Sequence, residues 1–143
     1  MRREKVLLVD DELEFTQVLS ERMESRGVDV DVAASGHEAV EKVKGTSYDA
    51  IVLDLAMPEM DGIDTLKHLL EANPDLQVIL LTGHATLEKG IEAIRLGAMD
   101  FLEKPAEIQK LMGKIAEAKA NKMLLVEKQV EEKIKGILKT KWW

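Results

Sequence analysis

Short apolar runs that each stop at a polar residue recur along this chain, with segments of helical spacing between them. Val6-Leu7-Leu8-Val9 stops at Asp10 and Asp11, Ile51-Val52-Leu53 at Asp54, and Val78-Ile79-Leu80-Leu81 at Thr82. Phe101-Leu102-Glu103 stops at Lys104. Continuous apolar runs this short suit strands buried on both faces rather than buried helices. Strands separated by helices require right-handed crossovers, which produce a parallel sheet covered on both sides. In such a sheet every run ends at the same edge. Three acids, a hydroxyl and an amine then meet in one cleft.

The expected strands are Glu4–Val9, Val28–Ala33, Asp49–Asp54, Leu76–Leu81 and Met99–Glu103. Val28–Ala33 alternates Val with Asp, the pattern of a strand with one wet face towards a sheet edge. The helices between them are expected over Glu12–Arg26, from Ser35-Gly36 through Val43, over Ile63–Ala72 and over Thr86–Leu96. A fifth begins near Ala106. Leu13, Val18, Leu19 and Met23 form the apolar stripe expected for the first helix, and Gly27 is placed to end it. Asp61-Gly62 reads as a turn. The fold class is therefore α/β with a five-stranded parallel sheet, whose cleft lies beyond the carboxyl ends of the strands where the strand order reverses.

Composition narrows the chemistry. The chain has no cysteine, which removes disulfides and thiolate metal sites and suits a reducing, cytoplasmic setting. Its longest apolar run falls far short of a membrane span. Residues 1–105 carry a balance of −11 and residues 106–143 a balance of +4. An acidic body argues against direct nucleic-acid binding. His37, His68 and His84 share no metal-ligand spacing.

Clustered carboxylates repel one another unless a cation joins them. With oxygen donors alone the suited ion is Mg²⁺, with Mn²⁺ as a substitute, and such a site ordinarily works on phosphate. Lys104 can neutralise one phosphoryl oxygen and the Thr82 hydroxyl can bond another. Asp54, outside the Asp10–Asp11 pair, is the best candidate to become an aspartyl-phosphate. Blander roles exist for each residue: Asp11 or Thr82 as a helix cap, Lys104 as a surface lysine, Phe101 as plain core.

Val9-Asp10-Asp11-Glu12, Asp54 through Gly62, Leu81-Thr82-Gly83-His84 and Phe101 through Pro105 together resemble receiver domains of two-component response regulators. The similarity runs from about Lys5 to Asn121. It is nearest to receivers attached to σ54-dependent activators, whose AAA+ and DNA-binding segments have no counterpart in these residues. The resemblance implies a flavodoxin-like (βα)5 sandwich, with 1–121 as the receiver and 122–143 as a basic amphipathic helical tail.

The resemblance also implies that Asp54 accepts a phosphoryl group from a histidine kinase or histidine phosphotransfer protein. It assigns Mg²⁺ to Asp11 and Asp54 directly, to Asp10 through water, and to the Ala56 backbone carbonyl. Lys104 pairs with the phosphoryl group, Thr82 and Phe101 form the switch, and the bond before Pro105 is cis. His84 is at a position that tunes phosphoryl loss. Output passes through the fourth helix, fifth strand and fifth helix to a downstream protein or to a second copy, so a homodimer is among the expectations.

No small-molecule turnover is expected. Two rivals use the same residues: a Mg²⁺-dependent phosphohydrolase with an aspartate nucleophile, and a pseudo-receiver that binds a partner without phosphorylation. The first usually needs a second acid two residues after its nucleophile, where this chain has Ala56.

Met123, Val126, Val130, Ile134 and Ile137 continue at helical spacing beyond Asn121, but a strict heptad carried from Ile108 fails at Lys122, Gln129 and Glu132. A continuous helix with a drifting stripe, or two helices with a bend, is expected. Packing on the receiver or on a second chain, a linker to a further domain, and a membrane-surface helix ending in Trp142-Trp143 remain as uses for it.

Overall fold

The computed structural model describes residues 3–55, 61–83 and 87–141. Five parallel strands form one sheet: β1 Lys5–Val9, β2 Asp29–Ala33, β3 Ala50–Asp54, β4 Val78–Thr82 and β5 Asp100–Glu103. Their order across the sheet is β2-β1-β3-β4-β5. The helices are α1 Leu13–Glu24, α2 Gly36–Gly45, α3 Gly62–Ala72, α4 Leu87–Leu96 and α5 Ile108–Lys141. The chain winds outward from β1 to β2, then crosses to β3 and continues the other way. The reversal therefore falls between β1 and β3.

Strand periodicity divides the core into two layers. Leu7, Val9, Ile51, Leu53, Val78 and Leu80 face one way, with Leu66 and Leu69 of α3 and Ala93 of α4. Val6, Leu8, Val52, Ile79 and Leu81 face the other way, with Leu19 and Met23 of α1 and Leu111, Ile115 and Ala118 of α5. Because β1, β3 and β4 are covered on both faces, their residues alternate between layers rather than between core and water. That is why their sequences read as unbroken apolar runs. β2, at the edge, keeps the Val/Asp alternation.

The first helix differs from expectation. Leu13 and Val18 are 69% and 54% exposed, whereas Thr16 and Ser20 are buried beside Leu19 and Met23. Apolar identity misled here because the two hydroxyls satisfy themselves locally and so bury cheaply. Thr16 Oγ1 donates to the Leu13 carbonyl oxygen and Ser20 Oγ to that of Gln17. Gly27 follows α1 at φ +87°, the left-handed geometry that ends a helix.

α5 continues through Asn121 without a break, so the single continuous helix is the form adopted. Its 34 residues make a rod of about 50 Å. Its upper half packs on the sheet through Leu111, Ile115 and Ala118, and in its lower half Gln129 bonds Asp75 ahead of β4. Trp142 and Trp143 lie outside the described residues.

Candidate active site

β1 and β3 run in register, with Val9 opposite Leu53, so the next residues of both strands leave the sheet side by side. Ligand oxygens of Asp10, Asp11 and Asp54 lie within 4.8 Å of one another. Asp10 and Asp54 are buried, and Asp11 is partly exposed at the mouth. β4 and β5 place Thr82 opposite Glu103, which brings Lys104 to the same edge. The Lys104 Nζ is 3.2 Å from Asp10 Oδ2 and 3.4 Å from Asp54 Oδ2. Chain folding therefore joins residues separated by 94 positions into one charge cluster.

The blander roles fail for two of these residues. The residue preceding α1 is Glu12, whose side chain makes no capping bond, and Asp11 does not cap the helix. Asp10 does local work instead, its Oδ1 accepting from the Glu12 backbone N–H at 3.0 Å. Lys104 is no surface lysine, with its side chain only 22% exposed. Burial pulls the Lys104 pKa down, but the carboxylates of Asp10 and Asp54 outweigh that and leave it above the ordinary lysine value. Three carboxylates against one ammonium leave the cluster short of positive charge. Hard, anionic oxygen donors in this number fit a small divalent cation.

Thr82 is fully buried, and its hydroxyl makes a long 3.5 Å bond to the Leu102 carbonyl oxygen. Phe101 is half-buried against the layer that holds α3 and α4. The Lys104–Pro105 peptide is cis. Ala56 and His84 lie outside the described residues.

Several site residues escaped sequence reasoning. The Lys104 ammonium sits 4.5 Å from the centroid of the Phe15 ring on α1, a cation–π contact that helps hold the amine over the carboxylates. A usable signal existed: the chain has two phenylalanines, Phe15 and Phe101, and both border the site. Gly62 is more than a turn residue, since a Cβ there would lie 2.4 Å from the Leu55 Cα, next to Asp54. Asp61 caps α3 by accepting from the Ile63 N–H at 2.8 Å and pairs with Lys89 of α4 at 3.4 Å. Gly90 of α4 faces the Thr82 methyl and the Phe101 ring, which a Cβ would meet at 3.4 and 3.5 Å.

The response regulator receiver domain family matches residues 6–116. The chain belongs to that family. It is 35% identical to the transcriptional regulatory protein ZraR of Klebsiella oxytoca over 119 residues, which is 83% of this chain and 27% of ZraR. The luminescence regulatory protein LuxO of Vibrio campbellii is 32% identical over 104 residues, 73% of this chain and 23% of LuxO. The chain thus spans about a quarter of the length of these curated relatives.

Among solved structures, the Francisella response regulator 1452 receiver domain matches with a TM-score of 0.76 at 35% identity. That match covers 82% of this chain and 98% of the other. Receiver domains of response regulators are phosphorylated by histidine kinases and generally bind Mg²⁺ in an acidic pocket. Asp10, Asp11 and Asp54 form an acidic cluster whose ligand atoms could hold such an ion. Among the described residues no helix is long and apolar enough to cross a membrane.

Proposed function

We propose that this protein is a phospho-acceptor switch of a cytoplasmic two-component pathway, in which Asp54 takes a phosphoryl group from a histidine kinase or a histidine phosphotransfer protein. The observation that carries this reading is the Lys104 ammonium held between Asp10 and Asp54, 3.2 and 3.4 Å from their oxygens. An Asp54 carboxylate oxygen attacks phosphorus, the P–O bond forms, and the P–N bond of the donor breaks with its electron pair leaving on the imidazole. Lys104 is placed to move from two carboxylates to the new phosphoryl oxygens. Asp10, Asp11 and Asp54 would hold Mg²⁺, which supplies charge neutralisation for the transferring group.

Once Asp54 carries the group, the Thr82 hydroxyl gains an acceptor stronger than its long bond to Leu102. Movement of Thr82 frees space beside Gly90 for the Phe101 ring. The change then reaches α4, β5 and α5, the face expected to meet a downstream protein or a second copy. The output is a conformation and not a released product, which sets this reading apart from a phosphohydrolase.

Incubation with a small phosphodonor and Mg²⁺, followed by intact mass and peptide mapping, tests the assignment. One phosphoryl group per chain on the Asp54 peptide is expected, lost in Asp54→Ala and in the presence of chelator. Unchanged incorporation in Asp54→Ala would sink it. Steady turnover of phosphomonoesters would favour the phosphohydrolase instead. A protein that neither labels nor shifts its melting temperature with beryllofluoride and Mg²⁺ would be a pseudo-receiver.

A further inference from the structure

Phe15 stands in the first turn of α1, with its ring centroid 4.5 Å from the Lys104 Nζ. An ammonium offers three N–H donors and accepts nothing. Two sides of this one are taken by carboxylates, Asp10 Oδ2 at 3.2 Å and Asp54 Oδ2 at 3.4 Å. The ring covers a further side. Its negative π face attracts the cation, and its apolar body displaces water that would otherwise solvate the charge.

Both members of the contact are anchored, and one carboxylate anchors them together. Asp10 Oδ1 accepts from the Glu12 backbone N–H and so fixes the entry into α1, while Asp10 Oδ2 takes the Lys104 ammonium. Thr16, next to Phe15, is buried and bonds back to the Leu13 carbonyl oxygen, which tightens the same turn. The Phe15 ring is half-buried against the layer that holds α1 and α5. On the other side, the Lys104 backbone N–H donates to the Thr82 carbonyl oxygen at 2.7 Å and sets the point from which the lysine reaches. Little freedom remains to be lost when ring and ammonium meet.

We propose that Phe15 is a positioning residue for phosphoryl transfer, whose π face keeps the Lys104 ammonium shielded from water and aimed between Asp10 and Asp54. The proposal rests on the reading of Asp54 as the phosphoryl acceptor. The ring acts through Lys104 and takes no part in bond making or breaking. A cation held by fixed partners stabilises developing charge better than one held by mobile water, because nothing has to reorganise during transfer. Without the ring, water reaches the ammonium and the transfer slows rather than stops. A plain core residue would behave differently, since any apolar side chain of similar bulk could replace it.

Phe15→Leu keeps the apolar bulk and removes the π face, whereas Phe15→Tyr keeps both. With a small phosphodonor and saturating Mg²⁺, well below each variant's Tm, Phe15→Leu is expected to label Asp54 about 3–10-fold more slowly than the unchanged protein. Phe15→Tyr should label within about twofold of the unchanged rate, as a retained cation–π contact requires. A second readout needs neither metal nor phosphodonor. The Lys104 Cε proton signals, assigned by their loss in Lys104→Met, should be shifted upfield by the ring, lose that shift in Phe15→Leu and keep it in Phe15→Tyr. An unchanged labelling rate in Phe15→Leu would overturn the proposal. So would equal slowing in both variants, which is the signature of packing alone, or a Lys104 signal that does not move in Phe15→Leu. If the unchanged protein itself fails to label at Asp54, the acceptor reading falls and the transfer role with it. A full-rate Phe15→Leu in a protein that does label removes only the role of the ring.

Discussion

The two ends of the sheet handle buried charge in opposite ways. At the carboxyl end, Asp10 and Asp54 share the Lys104 ammonium, and Asp11 lies beside them. At the amino end, Lys122 answers Ser47, the Tyr48 carbonyl and the Asp49 carboxylate, and the Asp49 Oδ2 also accepts from the Lys5 N–H at 2.8 Å. Tyr48 closes the same end by donating to Asp31, and burial followed by that hydrogen bond pushes its pKa up to about 12. Among the described residues one end is left short of positive charge, and it is there that a cation and a phosphoryl group are proposed to bind. The other has its charges matched and anchors the long helix. Function and anchoring are thus kept at opposite ends of the same strands.

Gly62→Ala should give the largest change, because the new Cβ would lie 2.4 Å from backbone at Leu55. A loss of about 3 kcal/mol in urea unfolding is expected, since backbone beside β3 cannot yield as a flexible side chain does. If the loss is below about 1 kcal/mol, the α3 start is not the rigid wall of the site that it resembles.

Lys104→Met should cost about 2 kcal/mol in metal-free buffer, less than the ~3–5 kcal/mol of a fully buried pair because Lys104 retains some exposure. The sign with pH follows from its raised pKa. The contribution is fully present below the unfolded lysine value and is lost as pH rises through the higher folded value. The unchanged protein should therefore lose this advantage over Lys104→Met only in strong alkali, as equilibrium unfolding at several pH values would show.

Lys122→Ala at the opposite end should cost about 1–2 kcal/mol by removing charge-assisted bonds. Hydrogen exchange should rise in the lower part of α5, while labelling at Asp54 stays unchanged. Loss of labelling would show that the two ends are coupled rather than separate.

Asp10→Asn should act in the reverse direction and most weakly. Removing one like charge is expected to raise stability by about 1 kcal/mol without metal. It should also shrink the increase in Tm that Mg²⁺ produces in the unchanged protein. A protein destabilised by Asp10→Asn would mean that Lys104 already neutralises the cluster.

Strand positions were legible because β1, β3 and β4 are buried on both faces and so could not include polar residues before their ends. That same rule exposed Asp10, Asp54 and Thr82, each of which appears where an apolar run stops. α1 was harder. Thr16 and Ser20 point inward while Leu13 and Val18 stay in water, and a hydroxyl that bonds its own helix gives no sign of this in a pattern of apolar letters. Phe15 was missed for a related reason. Its contact with Lys104 joins residues far apart in the chain, and nothing local to either foretells it.

Local rules of burial and turn chemistry, written along one dimension, determined the α/β class, the five strand ends and the candidate phosphoryl acceptor. Only the tertiary structure decided that Lys104 lies between Asp10 and Asp54, that Gly62 must clear Leu55, and that Lys122 of α5 reaches Ser47 and Tyr48. Those facts depend on strand register and on the rotation of each helix about its own axis. Both are set by packing across the whole sheet, where residues distant in sequence compete for the same space.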